Sequence, residues 1–271
     1  MKKNVFGIIL VSVLFSCNGS QEKKVEKASI IKTTIAKDSL KEDENVANVS
    51  NEEFKKEFDI LIPRSYRTYD AKNPATSLSE KWIELYEENG TYYLGKANFK
   101  TEKDFDECTG DSLVSISPKN KVIVFMDLPE LKTGSVKSVK INKRKIWPKE
   151  KATYTFNNVS YAFRAEGKVL SQFKTDSDND GEEIFKNVAN YKLYLTIGNG
   201  VEKLLLAEDS FQDTFVELLF AGDIDGDGKL DFVFGANRNY EEERVILFLS
   251  SKAKNEDTVK KVSEIAVQFD C

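Results

Sequence analysis

The chain has no histidine at all in 271 residues. That removes Ser-His-Asp and Cys-His catalysis and argues against zinc and haem sites, since imidazole is the usual base and a common ligand. Two-carboxylate and Ser/Lys chemistry stay open. A surplus of positive charge is missing too: the formal net charge is −5, which argues against a general nucleic-acid binder. No apolar run approaches the roughly 20 residues that a spanning helix needs. Cysteine is scarce, three in all, an odd number for a chain that leaves the reducing cytosol. What is present is 40% hydrophobic residues and 11% aromatics, 18 Phe and 10 Tyr among them. This supports one core and favours β structure. No 30-to-50-residue repeat is visible.

The longest apolar run is at the start. Lys2 and Lys3 precede Val5-Phe6-Gly7-Ile8-Ile9-Leu10-Val11-Ser12-Val13-Leu14-Phe15, about 11 residues, the length of a signal-peptide core. Leu14-Phe15-Ser16-Cys17 then resembles the bacterial lipobox, with Phe15 the departure from its usual small or β-branched residue. The resemblance implies cleavage after residue 16 and a diacylglyceryl thioether on Cys17. Acyl chains contribute about 0.8 kcal/mol per buried CH₂, so several anchor a protein to a membrane. Asn18 stands where an Asp would retain such a protein in the inner membrane, which implies the outer membrane. With Cys17 lipidated, Cys108 and Cys271 remain. An exported chain favours their pairing, across a loop of roughly 160 residues, worth up to about 4–5 kcal/mol; two buried thiols are the alternative.

Residues 17–54 read as a tether. Gln21-Glu22-Lys23-Lys24-Val25-Glu26-Lys27 and Lys41-Glu42-Asp43-Glu44-Asn45 are charged, and the apolar residues between are too few to offset ordering entropy. A domain over 55–271 follows. Its pattern is short apolar or alternating runs separated by turn residues: Trp82–Tyr86 and Thr91–Leu94 across Asn89-Gly90, Val122–Met126, Ala152–Phe156 and Tyr161–Arg164 across Asn157-Asn158. Tyr191–Ile197, Val201–Leu206, Phe215–Phe220, Leu230–Phe234, Val245–Leu249 and Val262–Phe269 continue it. The expected fold is mainly β, an antiparallel sandwich or open barrel-like sheet, with short helical pieces only near Ser79 or Asp209–Asp213. Lys137, Lys140, Lys143, Arg144 and Lys145 read as a solvated strand face. Trp82 and Trp147 read as core.

One segment carries chemistry: Gly222-Asp223-Ile224-Asp225-Gly226-Asp227-Gly228-Lys229-Leu230-Asp231-Phe232-Val233-Phe234-Gly235. Carboxylates at loop positions 1, 3, 5 and 9 can converge on one point if the loop curls tightly, and Gly226 and Gly228 permit the left-handed backbone of such a curl. Calcium, a hard cation with six to eight oxygen ligands, suits them. An EF-hand or dockerin loop starts alike but needs an acid at position 12 and a helix after it; position 12 is Phe234 and the run that follows reads as strand. The segment instead resembles the Asp-x-Asp-x-Asp-Gly-x-x-Asp hairpin loop of FG-GAP/VCBS-type repeats. The resemblance implies Asp223, Asp225, Asp227 and Asp231 as carboxylate ligands of Ca²⁺ and Lys229 as a carbonyl ligand with its side chain outward. Asp176-Ser177-Asp178-Asn179-Asp180-Gly181 is a weaker second loop: Asp176, Asp178 and Asp180 fit, but Ile184 stands at position 9. One good loop in about 215 residues argues against a full propeller.

Taken whole, the chain resembles small lipoproteins of Bacteroidetes-type bacteria, which join a lipobox, a charged tether, a β domain, a loop of this kind and a terminal cysteine. Asp38-Ser39-Leu40, Asp111-Ser112-Leu113 and Asp257-Thr258-Val259 resemble that phylum's O-glycosylation tripeptide. Two functions compete. One is a non-catalytic binding or structural module of the cell envelope, held to the membrane by lipid on Cys17, with an envelope protein or glycan as ligand. The other is an envelope glycan hydrolase with two acids about 5–10 Å apart in a pocket, and no spacing among the 45 Asp and Glu singles out that pair.

Overall fold

Apolar runs broken by Asn and Gly become antiparallel strands throughout. The computed structural model describes residues 59–68, 72–177, 181–254 and 258–269, all within one compact unit. The expected leader, Cys17, the tether, Asp178, Asp180 and Cys271 lie outside the described residues.

The first eight strands are β1 (Ile60–Leu61), β2 (Ser65–Arg67), β3 (Ile83–Glu88), β4 (Thr91–Lys96), β5 (Phe99–Phe105), β6 (Ser112–Pro118), β7 (Lys121–Met126) and β8 (Gly134–Val136). They form a five-stranded sheet in the order β1-β7-β3-β4-β8 and a three-stranded sheet, β2-β6-β5. A second block, β9 (Lys151–Phe156), β10 (Val159–Ser177), β11 (Gly181–Ile197) and β12 (Lys203–Ser210), makes a meander ordered β12-β11-β10-β9. A third, β13 (Glu217–Gly222), β14 (Asp231–Gly235), β15 (Glu242–Leu249) and β16 (Lys260–Gln268), pairs in sequence order. The turns follow from residue type. Asn89-Gly90 and Asn157-Asn158 take positive φ at both central positions, as the tightest hairpin turns require.

The third sheet is the middle layer. In β14, Phe232 and Phe234 belong to one buried cluster and Val233 to another; in β15, Ile246 and Phe248 join the first, and Val245, Leu247 and Leu249 the second. The first cluster is completed by Tyr154, Tyr161, Phe163, Tyr191 and Leu195 of the meander. The second is completed by Ile60, Leu85, Leu94, Val124 and Met126 of the five-stranded sheet. A sheet covered on both faces needs apolar residues at every position rather than at alternate ones, which is why Phe232-Val233-Phe234 and Val245–Leu249 run without a polar break. The expectation of a sandwich or barrel-like sheet therefore resolves into three stacked antiparallel layers with a small flanking sheet, and no barrel closes.

Other expectations change in detail. Among the described residues the helical content is one 3₁₀ turn, Pro74–Ser77, capped by Asn73, whose Oδ1 accepts from Ala75 N at 2.9 Å. It lies just before Ser79. Residues 209–213 are not helical: β12 runs through Ser210, paired with Ala189. The basic run 137–145 is irregular chain after β8, not a strand face, and Lys143 and Lys145 are tied to Glu150, Glu183 and Glu217. Trp82 and Trp147 are both core, Trp147 stacked 4.1 Å from the ring of Phe215.

Because each face of the middle sheet meets its own core, one large truncation per face tests the layering. Phe232→Ala should cost about 3–5 kcal/mol and Leu247→Ala about 2–5 kcal/mol. Leu170→Ala, at a position 59% exposed, should stay within about 0.5 kcal/mol. Urea unfolding monitored by tryptophan fluorescence decides: a cheap Leu247→Ala would mean that one face is wet.

Candidate metal centre

β13 and β14 are joined by the Asp-rich loop, and their last ladder pair is Gly222 with Asp231. No larger residue fits at 222: a Cβ there would fall 2.5 Å from the Phe220 ring and 2.7 Å from the Lys137 carbonyl, where the chain after β8 bridges at Ser138. Gly226 and Gly228 take φ of 78° and 84°, the left-handed turns expected of them.

The curl brings Asp223, Asp225 and Asp227 together. Each offers a carboxylate oxygen, and the three oxygens lie within 4.8 Å of one another. Backbone amides point inward at them: Gly228 N donates to Asp223 at 3.1 Å, Asp227 N to Asp225 at 3.3 Å and Lys229 N to Asp227 at 2.9 Å. The Lys229 side chain is 60% exposed, as expected, with Nζ 3.9 Å from Asp227.

Asp231 stands apart from this trio. It is wholly buried. Its Oδ2 accepts from Ile224 N at 2.7 Å and Asp225 N at 3.3 Å; its Oδ1 accepts from Ser250 N at 2.7 Å and Ser250 Oγ at 2.9 Å. It fastens the start of the loop to the end of β15. Burial pushes its carboxyl up to about 7, against the pull of those donors. Burial also raises Asp223, with Gly228 and Gly226 amides opposing and the neighbouring aspartates adding to the rise. Asp223 Oδ1 is buried and has no hydrogen-bond partner.

Four contacts come from distant sequence. Ser250 Oγ reaches Asp227 Oδ2 at 3.0 Å, and Ser251 Oγ donates to Asp225 Oδ2. Asn157 Nδ2, in the β9–β10 turn, donates to the Gly228 carbonyl at 2.8 Å, and Leu230 N donates to Tyr161 Oη at 3.2 Å. The arrangement is a cluster of acid oxygens lined by backbone amides.

No family model, no curated protein and no solved structure matches the chain. The likeness to FG-GAP/VCBS-type loops rests on the loop residues alone.

The remaining predicted positions are less informative. Asp176 lies at the far end of the β10–β11 hairpin, opposite Glu182 in the ladder; its two companions are outside the described residues. Cys108 sits in the exposed β5–β6 turn, its N–H on Asp106 Oδ1 at 3.0 Å. No helix among the described residues is long and apolar enough to cross a membrane.

The division between Asp231 and the trio is testable without any cation. In EDTA, Asp231→Ala strands the buried amides of Ile224 and Ser250 and should cost about 2–4 kcal/mol, given 1–3 kcal/mol per unsatisfied group. Asp225→Ala removes one of three mutually repelling charges and should leave stability in EDTA within about 0.5 kcal/mol. Guanidinium unfolding of both variants checks this, and equal losses would contradict the separate roles.

Proposed function

We propose that this chain is a lipid-anchored protein of the bacterial cell envelope whose β domain is clipped by one calcium ion, and that it serves as a non-catalytic binding or structural module. The observation that carries the reading is the bare oxygen of Asp223. A buried carboxylate oxygen with no donor costs free energy, and a cation among Asp223, Asp225 and Asp227 removes that cost along with their repulsion. Those residues fit a hard, oxygen-seeking ion such as Ca²⁺. By resemblance, the Lys229 carbonyl and Asp231 complete the ligand set.

The lipobox ending at Cys17 supports anchoring to the outer membrane, and the charged residues after it support a tether. The Cys108–Cys271 disulfide is part of the proposal. Phe269, two residues before Cys271, lies under the Arg64 guanidinium, 4.4 Å from it. Arg67, on β2 just beyond Arg64, holds Asp106 at 2.8 Å, two residues before Cys108. The short segment 64–67 thus touches both Phe269 and Asp106. An envelope protein or glycan is the partner class; the acidic balance argues against nucleic acid.

The hydrolase alternative finds less support. A surface hollow of about 310 Å³ is lined by Glu217, Glu242 and Glu243, but each is already engaged, by Lys145, Arg238 and Arg64 respectively. A larger one of about 670 Å³ has Glu80 as its single acid. Neither offers an unpaired acid with a second acid beside it, as two-carboxylate hydrolysis needs.

Thermal melting tests the calcium clip. With about 2 mM calcium and a Kd near 10⁻⁴ M, typical of extracellular modules, binding should add roughly 1.8 kcal/mol, on the order of 4–7 °C in Tm. Magnesium should substitute poorly because it demands a small octahedral shell. Asp227→Ala should abolish the calcium-dependent shift. Identical curves in calcium, magnesium and EDTA would reduce the loop to an acidic turn. Anchoring is tested separately by fractionating cells: Cys17→Ser should move the protein out of the membrane fraction, and a variant as membrane-bound as the wild type would refute the lipidation.

A further inference from the structure

Two of the three trio carboxylates are held from outside their own loop. Asp227 meets Ser250 Oγ at 3.0 Å and Asp225 meets Ser251 Oγ, both from the β15–β16 turn some 25 residues away. Asp223, the third, has one oxygen held by Gly228 N and the other bare. A serine hydroxyl carries a single proton, so the Ser250 hydroxyl, within reach of both Asp227 and Asp231, at 3.0 and 2.9 Å, donates to one of the two carboxylates at a time. Each hydroxyl brings a positive dipole end into a ring of negative charge without adding a competing ligand charge.

Resting on the calcium reading above, we propose that Ser250 and Ser251 are positioning residues of the cation site. Their hydroxyls hold Asp227 and Asp225 converged before an ion arrives, and the site's affinity is set jointly by the loop and by the turn after β15. Groups that orient ligands from behind are worth roughly tenfold or more in metal affinity. The turn has its own footing: Ala253 N closes on Ser250 O at 3.1 Å, and Lys252 pairs with Glu130 at 2.6 Å. These contacts brace the turn that presents both hydroxyls.

Ser251 is the better test position, because it is exposed and its substitution leaves the core intact. Calcium chloride is titrated calorimetrically into the full chain in detergent. Ser251→Ala should weaken calcium binding roughly tenfold, and Ser251→Thr, which keeps the hydroxyl, should bind as the wild type does. Ser250→Ala with Ser251→Ala should weaken it further. Unchanged or tighter binding by Ser251→Ala, with the wild type binding normally, overturns the proposal, since the hydroxyl would then be idle or in competition with the ion. So does equal weakening by alanine and threonine. A wild-type chain that takes up no calcium overturns the reading of the loop itself, and the positioning role with it.

Discussion

A strand covered on both faces can place a polar side chain only at its ends. The middle sheet is under that constraint: Phe232, Val233 and Phe234 are all buried, as are residues 245–249. Polar groups therefore collect at the two extremities of β14 and β15. At one end stand Asp231 and Ser250, and at the other Glu242 and Arg244. The position of the Asp-rich loop follows from this. It is where a doubly covered hairpin can first meet water, and its first anchor, Asp231, still lies inside.

The two ends handle charge differently. At the far end Arg244 is shared by Glu208 of β12 and Glu264 of β16, while Arg238 grips Glu242. Two arginines face three glutamates there, close to balance. Burial raises the Glu208 carboxyl against the pull of Arg244, the usual cost of desolvating one member of such a group. At the loop end four aspartates, 223, 225, 227 and 231, face exposed Lys229 and, near Asp225, Lys252, which is itself paired with Glu130, with amides and hydroxyls as the other donors. Dipoles of that kind favour negative charge but do not neutralise it. A deficit of positive charge beside a bare buried oxygen is what the proposed cation would offset.

Much of the architecture was legible because local rules govern it. Asn89-Gly90 and Asn157-Asn158 force tight hairpins, and the unbroken runs in β14 and β15 can only be buried strand. The layering was not legible, since an apolar run says that both faces are covered but not by what. The 209–213 stretch misled because an edge strand needs no alternation: β12 continues through Asp209 and Ser210 on backbone pairing with β11. In the site, the trio and the glycine curl were visible as a spacing. Ser250 and Ser251 were not, because their approach depends on the β14–β15 register, Phe232 opposite Phe248, which no local pattern encodes. Asn157 lies farther still, on another sheet. Asp231 shows the limit of motif reading: position 9 gives the residue type, while the four donors around it define its mechanical task.

The surroundings of the loop also bear on what an ion could do there. The loop touches the middle sheet through Asp231 and Ser250, and the meander through Asn157 and Tyr161. The Tyr161 ring in turn packs edge-on against Phe232, 6.3 Å away, inside the first core. Asp231 opens β14, Ser250 follows the last residue of β15, Asn157 lies in the two-residue β9–β10 turn and Tyr161 is on β10. A switch requires an element with two packed arrangements of similar energy, and short polar atoms fixed to strands on two different layers supply none. An ion in such a setting adds binding free energy to the single arrangement already present. On the calcium reading proposed above, it would hold the seam between layers, as a stabilising clip does.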